Sequence, residues 1–388
     1  MRNYKRKTDK GQTSPDVMLR AVKEVKLNKR SIRSVAKKYQ VSHRTLARYC
    51  LKFTSDQLNN EEVNLKLGYR KRQVFSEELE EQLLYYLELA SGIFNGVTGK
   101  DVRRLAYEFA NHIGLNYPES WNISGTAGPD WWGAFTKRHP TLKTTLETDS
   151  LNKEKSAYYF NKLKEIIRNH KLEPNRIWNM DETGIPTLQI YNGCIDQEVG
   201  KSNAQEYGRL ITMALAVSAS GDFTPPYFLA PDESIKELLI SSGPENCRVE
   251  TNALGWMEAD HFYNFLNQLS DHTQSSPDDK ILLLIENHEY YLSFKTLDFI
   301  KTKGIIVVTF PMNVDYLQPL DRIVFGPVRK QFDAICYSIA ETRENRQIEE
   351  SDLPIIVKQA LEATLLAKNI ITGFKDCGIH PFKIHFAE

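Results

Sequence analysis

The 388-residue chain predicts a multidomain protein, with small all-α units on the N-terminal side followed by an α/β core with a mixed sheet. Three observations lead there. Up to about residue 140, apolar residues recur at helical spacing behind Ser, Thr and Pro start signals. From about residue 173, apolar runs such as "KILLLIENHE" and "IIVVTFP" read as buried strands and alternate with amphipathic stretches. Charge divides the chain in the same way. Residues 1–53 hold 16 Lys and Arg against 3 Asp and Glu, a balance of +13 that the rest offsets, since the whole chain sums to zero. A basic head on an acidic body is the pattern of a nucleic-acid-binding arm joined to a separate domain.

The first helix is expected from Ser14-Pro15, a capping residue followed by proline at the first helical position, with Met18, Val22 and Val25 at helical spacing. Ile32, Val35 and Ala36 form a short second helix broken at "YQVS", and Ser42 caps a third whose inward face is Leu46, Tyr49 and Cys50. That leaves His43, Arg44, Thr45 and Arg48 facing out, a helix-turn-helix pattern in which they would reach base edges while Lys37, Lys38 and Lys52 sit near phosphates. Residues 54–72 read as a linker ending in Arg70, Lys71 and Arg72.

A second helical block follows. Phe75 and Ser76 precede a helix carrying Leu79, Leu83, Leu84 and Leu87; Thr98 and Asp101 form a capping box before Val102, Leu105 and Phe109. "AGPDWWGAFTKRHP" gives a short helix whose Trp131, Trp132 and Phe135 are read as packing, with Lys137 and Arg138 in reach of a phosphate or of solvent. Residues 146–172 read as a second linker. Beyond it, "RIWNMDETGI" is a strand ending in Asp181, "GRLITMALAVSASGDFTPPYFLA" two strands joined at Ser220-Gly221-Asp222, and "GWMEADHFYNFLNQL" a helix. "KILLLIENHE" is a buried strand, "SFKTLDFIKTKG" a helix with a glycine stop, "IIVVTFP" a strand, and Asp321 opens the helix that follows.

Taken singly, Asp181, Glu286 and Asp321 would each be an ordinary solvated strand or helix end. Ligands in open sheets gather at strand C-terminal ends, so Asp181 and Glu286 could converge there, with Asp321 approaching from its helix. Carboxylate oxygens suit Mg2+ or Mn2+, and two such ions would activate a hydroxyl and stabilise a leaving oxygen in phosphodiester cleavage.

Several function classes are excluded. No apolar run approaches the roughly 18 residues of a membrane helix, and "MRNYKRKTDKGQTSP" has no secretory core, so no membrane partner is expected. The five cysteines lie far apart without a C-x-x-C pair, which argues against a disulfide framework or a zinc site and for a reducing compartment. No small-molecule substrate is expected either.

The chain resembles the pogo/Tigger branch of DDE transposases, with its jerky-like and centromere-protein-B-like members. Residues 13–53 resemble the Pipsqueak-type helix-turn-helix. Residues 73–142 resemble the centromere-protein-B-type second DNA-binding domain, most specifically in "LAYEFA" and "AGPDWWGAFTKRHP". Residues 173–384 resemble the transposase core through "NMDETG", "AVSASGDFTPP", "LQPLDRIVFGP" and "GIHPF". The resemblance implies two small all-α helix-turn-helix DNA-binding domains, at 1–53 and 73–145, followed by an α/β RNase-H-like DDE core over 173–388 with a mixed sheet. It also implies that Asp181, Glu286 and Asp321 stand at the three catalytic, metal-binding positions. In the family the middle acid is aspartate, within an Asp-Asn/Gly-His pattern with a further histidine; here it is Glu286, with Asn287 and His288 kept and Tyr291 in the later position. The family's Pro-Pro-His-Thr-Ser-His segment is "FPMNVD", retaining Pro311 and placing Met312 and Asp315 where histidines stand. A glutamate ligand would displace an ion by roughly 1 Å, and such misplacement can cost about 10²-fold in rate. The expectation is therefore a nuclear, sequence-preferring protein that binds double-stranded DNA and is transposase-derived, with an impaired catalytic core. The alternative is an active Mg2+-dependent transposase or endonuclease. Chromatin proteins or self-association are the further partners considered.

Overall fold

The computed structural model describes residues 13–55, 58, 73–94, 97–140, 152–187, 189–190, 210–253, 255–288, 291–311, 317–343 and 347–383. The basic cluster Arg70, Lys71 and Arg72, and Met312 and Asp315, lie outside them. The chain divides into two compact units, Met1–Ser76 and Glu77–Glu388.

The first unit holds α1 (Pro15–Lys26), α2 (Ile32–Lys38) and α3 (His43–Lys52). Ser14 caps α1, its hydroxyl accepting the Val17 N–H at 3.3 Å. Met18, Ala21, Val22, Val35, Ala36, Leu46, Tyr49 and Cys50 form one buried cluster, the helical stripes meeting as their spacing requires. Ser42 stands at the start of α3, but its side chain makes no capping bond. The backbone closes this turn instead: Gln40 takes a left-handed conformation (φ 53°), and the Val41 N–H reaches the Ala36 carbonyl at 2.9 Å. Leu58, read as linker, is fully buried in the same cluster.

The second unit is built on a six-stranded sheet in the order β5-β4-β3-β1-β6-β7. Its strands are β1 (Ile177–Pro186), β3 (Leu210–Ser218), β4 (Tyr227–Ala230), β5 (Arg248–Thr251), β6 (Ile281–Ile285) and β7 (Ile305–Thr309). The short β2 (Gln189–Ile190) pairs instead with β8 (Gln347–Ile348). β3 lies antiparallel to β1 and β4, while β1, β6 and β7 run parallel. Burial on both faces explains why β6 and β7 are almost wholly aliphatic. Gly221, in the bend after β3, has φ 93° and lies so close to Ala367 that a Cβ would stand 2.8 Å from that residue's Cβ.

Two expectations need correction. β1 does not end at Asp181: it runs on to Pro186, because β3 pairs with it from Trp178↔Ser218 to Pro186↔Leu210. It ends early only on the other side, where β6 pairs with residues 177–179. Within the second expected linker, Asn152–His170 is helical (α8). Its Tyr159, Phe160 and Leu163 are buried in the main core with Ile177, Leu215 and Leu284, a stripe masked in sequence by the surrounding Lys and Asn.

The second helical block contributes α4 (Glu77–Ile93), α5 (Gly99–His112), α6 (Ser120–Ser124) and α7 (Pro129–Arg138). The Thr98–Asp101 capping box forms, and Trp131 stacks on Phe135 with ring centroids 4.7 Å apart. This block packs on the core within the same unit. The Tyr86 hydroxyl donates to Asp298 Oδ1 at 2.6 Å, and its ring lies edge-on to Phe294 at 4.7 Å. Glu108 accepts the Phe294 N–H at 2.7 Å, at the start of α11 (Phe294–Thr302), and the Thr309 hydroxyl donates to the Ile93 carbonyl at 2.6 Å. The remaining helices are α9 (Glu233–Ser242), α10 (Ala259–Thr273), α12 (Gly326–Glu341), α13 (Leu353–Thr364) and α14 (Ala367–Asp376). Among the described residues, no helix is long and apolar enough to cross a membrane.

Candidate functional site

Asp181 projects from β1 just beyond the last residue paired with β6, and Glu286 follows the last residue of β6. The two carboxylates thus lie on neighbouring parallel strands at one edge. Asp321 arrives from the other side of the sequence, in a π-helical turn, Leu320–Phe325, that leads into α12. Such turns are rare and recur at functional sites. One buried side chain ties these pieces together. Asn179, two residues before Asp181, donates from Nδ2 to the Leu284 carbonyl at 3.1 Å, and its Oδ1 accepts the Leu320 N–H at 3.0 Å. It therefore joins β1, β6 and the turn bearing Asp321. Asn179 was not singled out in sequence; its signal is its place in "NMDETG".

The two acids differ in their surroundings. Burial holds the Asp181 carboxyl well above the usual carboxylate range, the charge of Asp321 adds to this, the Glu182 N–H bond opposes it, and Glu286 adds a smaller push. That N–H donates to Asp181 Oδ1 at 2.8 Å. Glu286 behaves in the opposite way. Its Oε2 is bonded to His288 Nε2 at 2.8 Å and its Oε1 accepts from Gln318 Nε2 at 2.5 Å. Chiefly through His288, these bonds hold its carboxyl below the ordinary value, while the same bond raises the His288 imidazole. Tyr291 is buried and donates to Glu182 Oε1 at 3.0 Å. Gln318 was also not singled out; it lies three residues before Asp321 in "LQPLD".

Do these acids fit a divalent ion? Among the described residues no three His, Cys, Asp or Glu side chains are grouped so as to hold one. Both oxygens of Glu286 are engaged by protein donors, and the neighbouring Gln318 Oε1 is buried with no hydrogen-bond partner. As arranged here the donor set does not fit Mg2+ or Mn2+.

The basic residues separate into two groups. His43, Arg44, Lys37, Arg48 and Lys52 are exposed, and Thr45 is half-buried. Arg48 and Lys52 lie over the Tyr49 ring, 5.6 and 5.2 Å from its centroid, which fixes them beside α3 without burying their charges. Lys38 is exposed as well, but its ammonium is paired with both oxygens of the buried Glu24, at 3.0 and 2.9 Å. In the second block, Arg138 grips the buried Glu80 with two bonds, 2.9 and 2.5 Å, and His139 adds a third at 2.9 Å. Arg103 is turned to the Ala127 carbonyl and Arg104 to Asp101. Residues 77–140 carry 5 Lys and Arg against 9 Asp and Glu. Of the two cations expected to meet DNA from this block, only Lys137 is exposed; Arg138 is a packing residue.

A mixed sheet with one carboxylate midway along β1 and another just after the neighbouring parallel strand β6 defines the class: an α/β core with an acidic site, following a small basic helical unit in the sequence. Residues 209–373 match the family model of the DDE superfamily endonuclease, a span that includes Glu286 and Asp321 but not Asp181. Among solved structures, the chain is similar to the Mos1 strand transfer complex (14% identity, TM-score 0.35, covering 95% of this chain and 94% of that one). It is also similar to the Mos1 mariner paired-end complex with Mn (10% identity, TM-score 0.33, covering 95% and 98%). A third is the Mos1 transposase catalytic domain with Raltegravir and Mn (11% identity, TM-score 0.31, covering 61% and 99%). No curated protein matches the chain in sequence.

Proposed function

We propose that the protein is a nuclear, sequence-preferring double-stranded DNA-binding protein of transposase descent, of the pogo/Tigger type, whose DDE-like core no longer cuts. The observation that carries this reading is the exposed basic face of α3. His43, Arg44, Arg48 and Lys52 face solvent on a helix whose other side buries Leu46, Tyr49 and Cys50, in a segment of balance +13. A short helix, a tight turn and a second helix presenting such residues can lay that helix in a major groove. Arg48 and Lys52, held over Tyr49, are partly preorganised for that contact.

The test is binding of the full chain to duplexes selected from a random pool. Affinity should fall steeply between about 50 and 200 mM salt, because counterions are released from phosphates. Arg44→Ala should relax sequence preference, whereas Lys52→Ala should weaken all duplexes alike. Binding that shows no preference, and that neither substitution alters, would remove the proposal.

One observation favours the runner-up, an active Mg2+-dependent endonuclease: Asp181 still feels the charges of Asp321 and Glu286. Glu286→Asp is its sharp test. Cleavage of a bound duplex that appears with this single change would show an otherwise intact site.

A further inference from the structure

Glu286 follows the last residue of the buried strand β6, and its charge is already met by the protein. Its Oε1 accepts from the Gln318 amide at 2.5 Å and its Oε2 from the His288 imidazole N–H at 2.8 Å. Gln318 is 1% exposed and cannot easily move away. Its backbone carbonyl accepts the Arg322 N–H at 3.1 Å, and two residues on, Leu320 is fixed to Asn179. The Gln318 amide also leaves its own Oε1 buried without a hydrogen-bond partner. An orphaned buried acceptor costs stability, and turning the amide over would set that oxygen against the Glu286 carboxylate. The present orientation is the one that serves the glutamate.

We propose that Gln318 and His288 together stand in for a cation at Glu286, so that this core satisfies its middle carboxylate without a metal. The extra methylene of glutamate gives the carboxylate the reach to meet two donors on different segments, one after β6 and one before the π-helical turn. Charge-assisted hydrogen bonds of this kind are stronger than neutral ones, and an incoming ion would have to break both. Gln318 is here a positioning residue: it acts on Glu286, not on a substrate. This inference deepens the reading of the core as non-cutting and rests on it.

The experiment is Mn2+ titration of the full-length protein, followed by the magnetic resonance signal of free Mn2+. Gln318→Met keeps the side-chain length and removes the donor; His288→Ala, at a half-exposed position, removes the other. The double variant should bind one additional Mn2+ about tenfold or more tightly than the parent, since each lost bond is one made to a charged group. Adding Glu286→Gln should abolish that gain. His288→Ala alone, the variant least able to disturb folding, should give an intermediate gain. A folded double variant that binds Mn2+ no better than the parent overturns the proposal, as does a gain that survives Glu286→Gln. Neither result bears on cleavage: nicking by the unaltered chain in Mn2+ would instead overturn the non-cutting reading.

Discussion

Asp181 is an acid placed where ionisation is costly, and its effect on stability has a definite sign. Burial and the nearby Asp321 raise its folded-state value above that of an unfolded aspartate. The folded protein therefore holds this proton longer than the unfolded chain, and the contribution to stability is full below about pH 4 and is lost as pH rises from there through the raised folded value. Asp181→Asn, which stays uncharged, is expected to raise the melting temperature at pH 7. The advantage should shrink towards pH 4, and thermal unfolding at the two pH values checks it. Arg138 makes the opposite case. Its removal strands the buried Glu80 with only His139 for a partner. Arg138→Ala should cost about 3 kcal/mol in denaturant unfolding and leave DNA affinity unchanged, which separates a packing arginine from a phosphate contact. From sequence, Arg138 and Lys137 are equivalent neighbours at a helix end. What distinguishes them is Glu80, 58 positions away, and no local pattern reveals such a partner.

At the scale of elements, legibility follows the locality of the cause. The Ser14 cap, the Thr98–Asp101 box, the aliphatic β6 and β7 and the glycine stop after α11 depend on residues within a few positions of one another. Each stands where the sequence places it. Gly304, the stop, has φ 66°, and a Cβ there would meet the Ser276 carbonyl oxygen at 2.0 Å. Gly304→Ala should therefore destabilise the protein by roughly 2–4 kcal/mol, from backbone strain together with the clash, measured by chemical unfolding. Elements whose cause is distant were not legible. β1 continues past Asp181 because β3 pairs with it, and α8 is a helix whose apolar stripe has meaning only against Ile177 and Leu215. The acids behaved likewise. The bonds from His288 and Gln318 that occupy Glu286 depend on how β6 and the π-helical turn come together, which no local pattern shows.

At the scale of the molecule, the second helical block is part of the body that carries the acids. Tyr86, Glu108 and Ile93 bind Asp298, Phe294 and Thr309, and the Asn287 amide, next to Glu286, reaches the Phe94 carbonyl at 3.4 Å. A fragment beginning at residue 141 would expose Phe294 and leave the Phe294 N–H and the Thr309 hydroxyl without these partners. It should aggregate or bind hydrophobic dye, while one beginning at residue 77 should not; size-exclusion chromatography distinguishes them. On the proposed reading, the acidic balance of this block assigns DNA recognition to the basic N-terminal unit. The central claim, a DNA-binding protein whose acidic core does not cut, is tested most directly by incubating the full chain with end-labelled duplex carrying its selected site, in Mg2+ and in Mn2+, and resolving both strands on a denaturing gel. The account predicts saturable binding with both strands intact. Strand breaks at a fixed position, lost when Asp181 is changed to Asn, would contradict it.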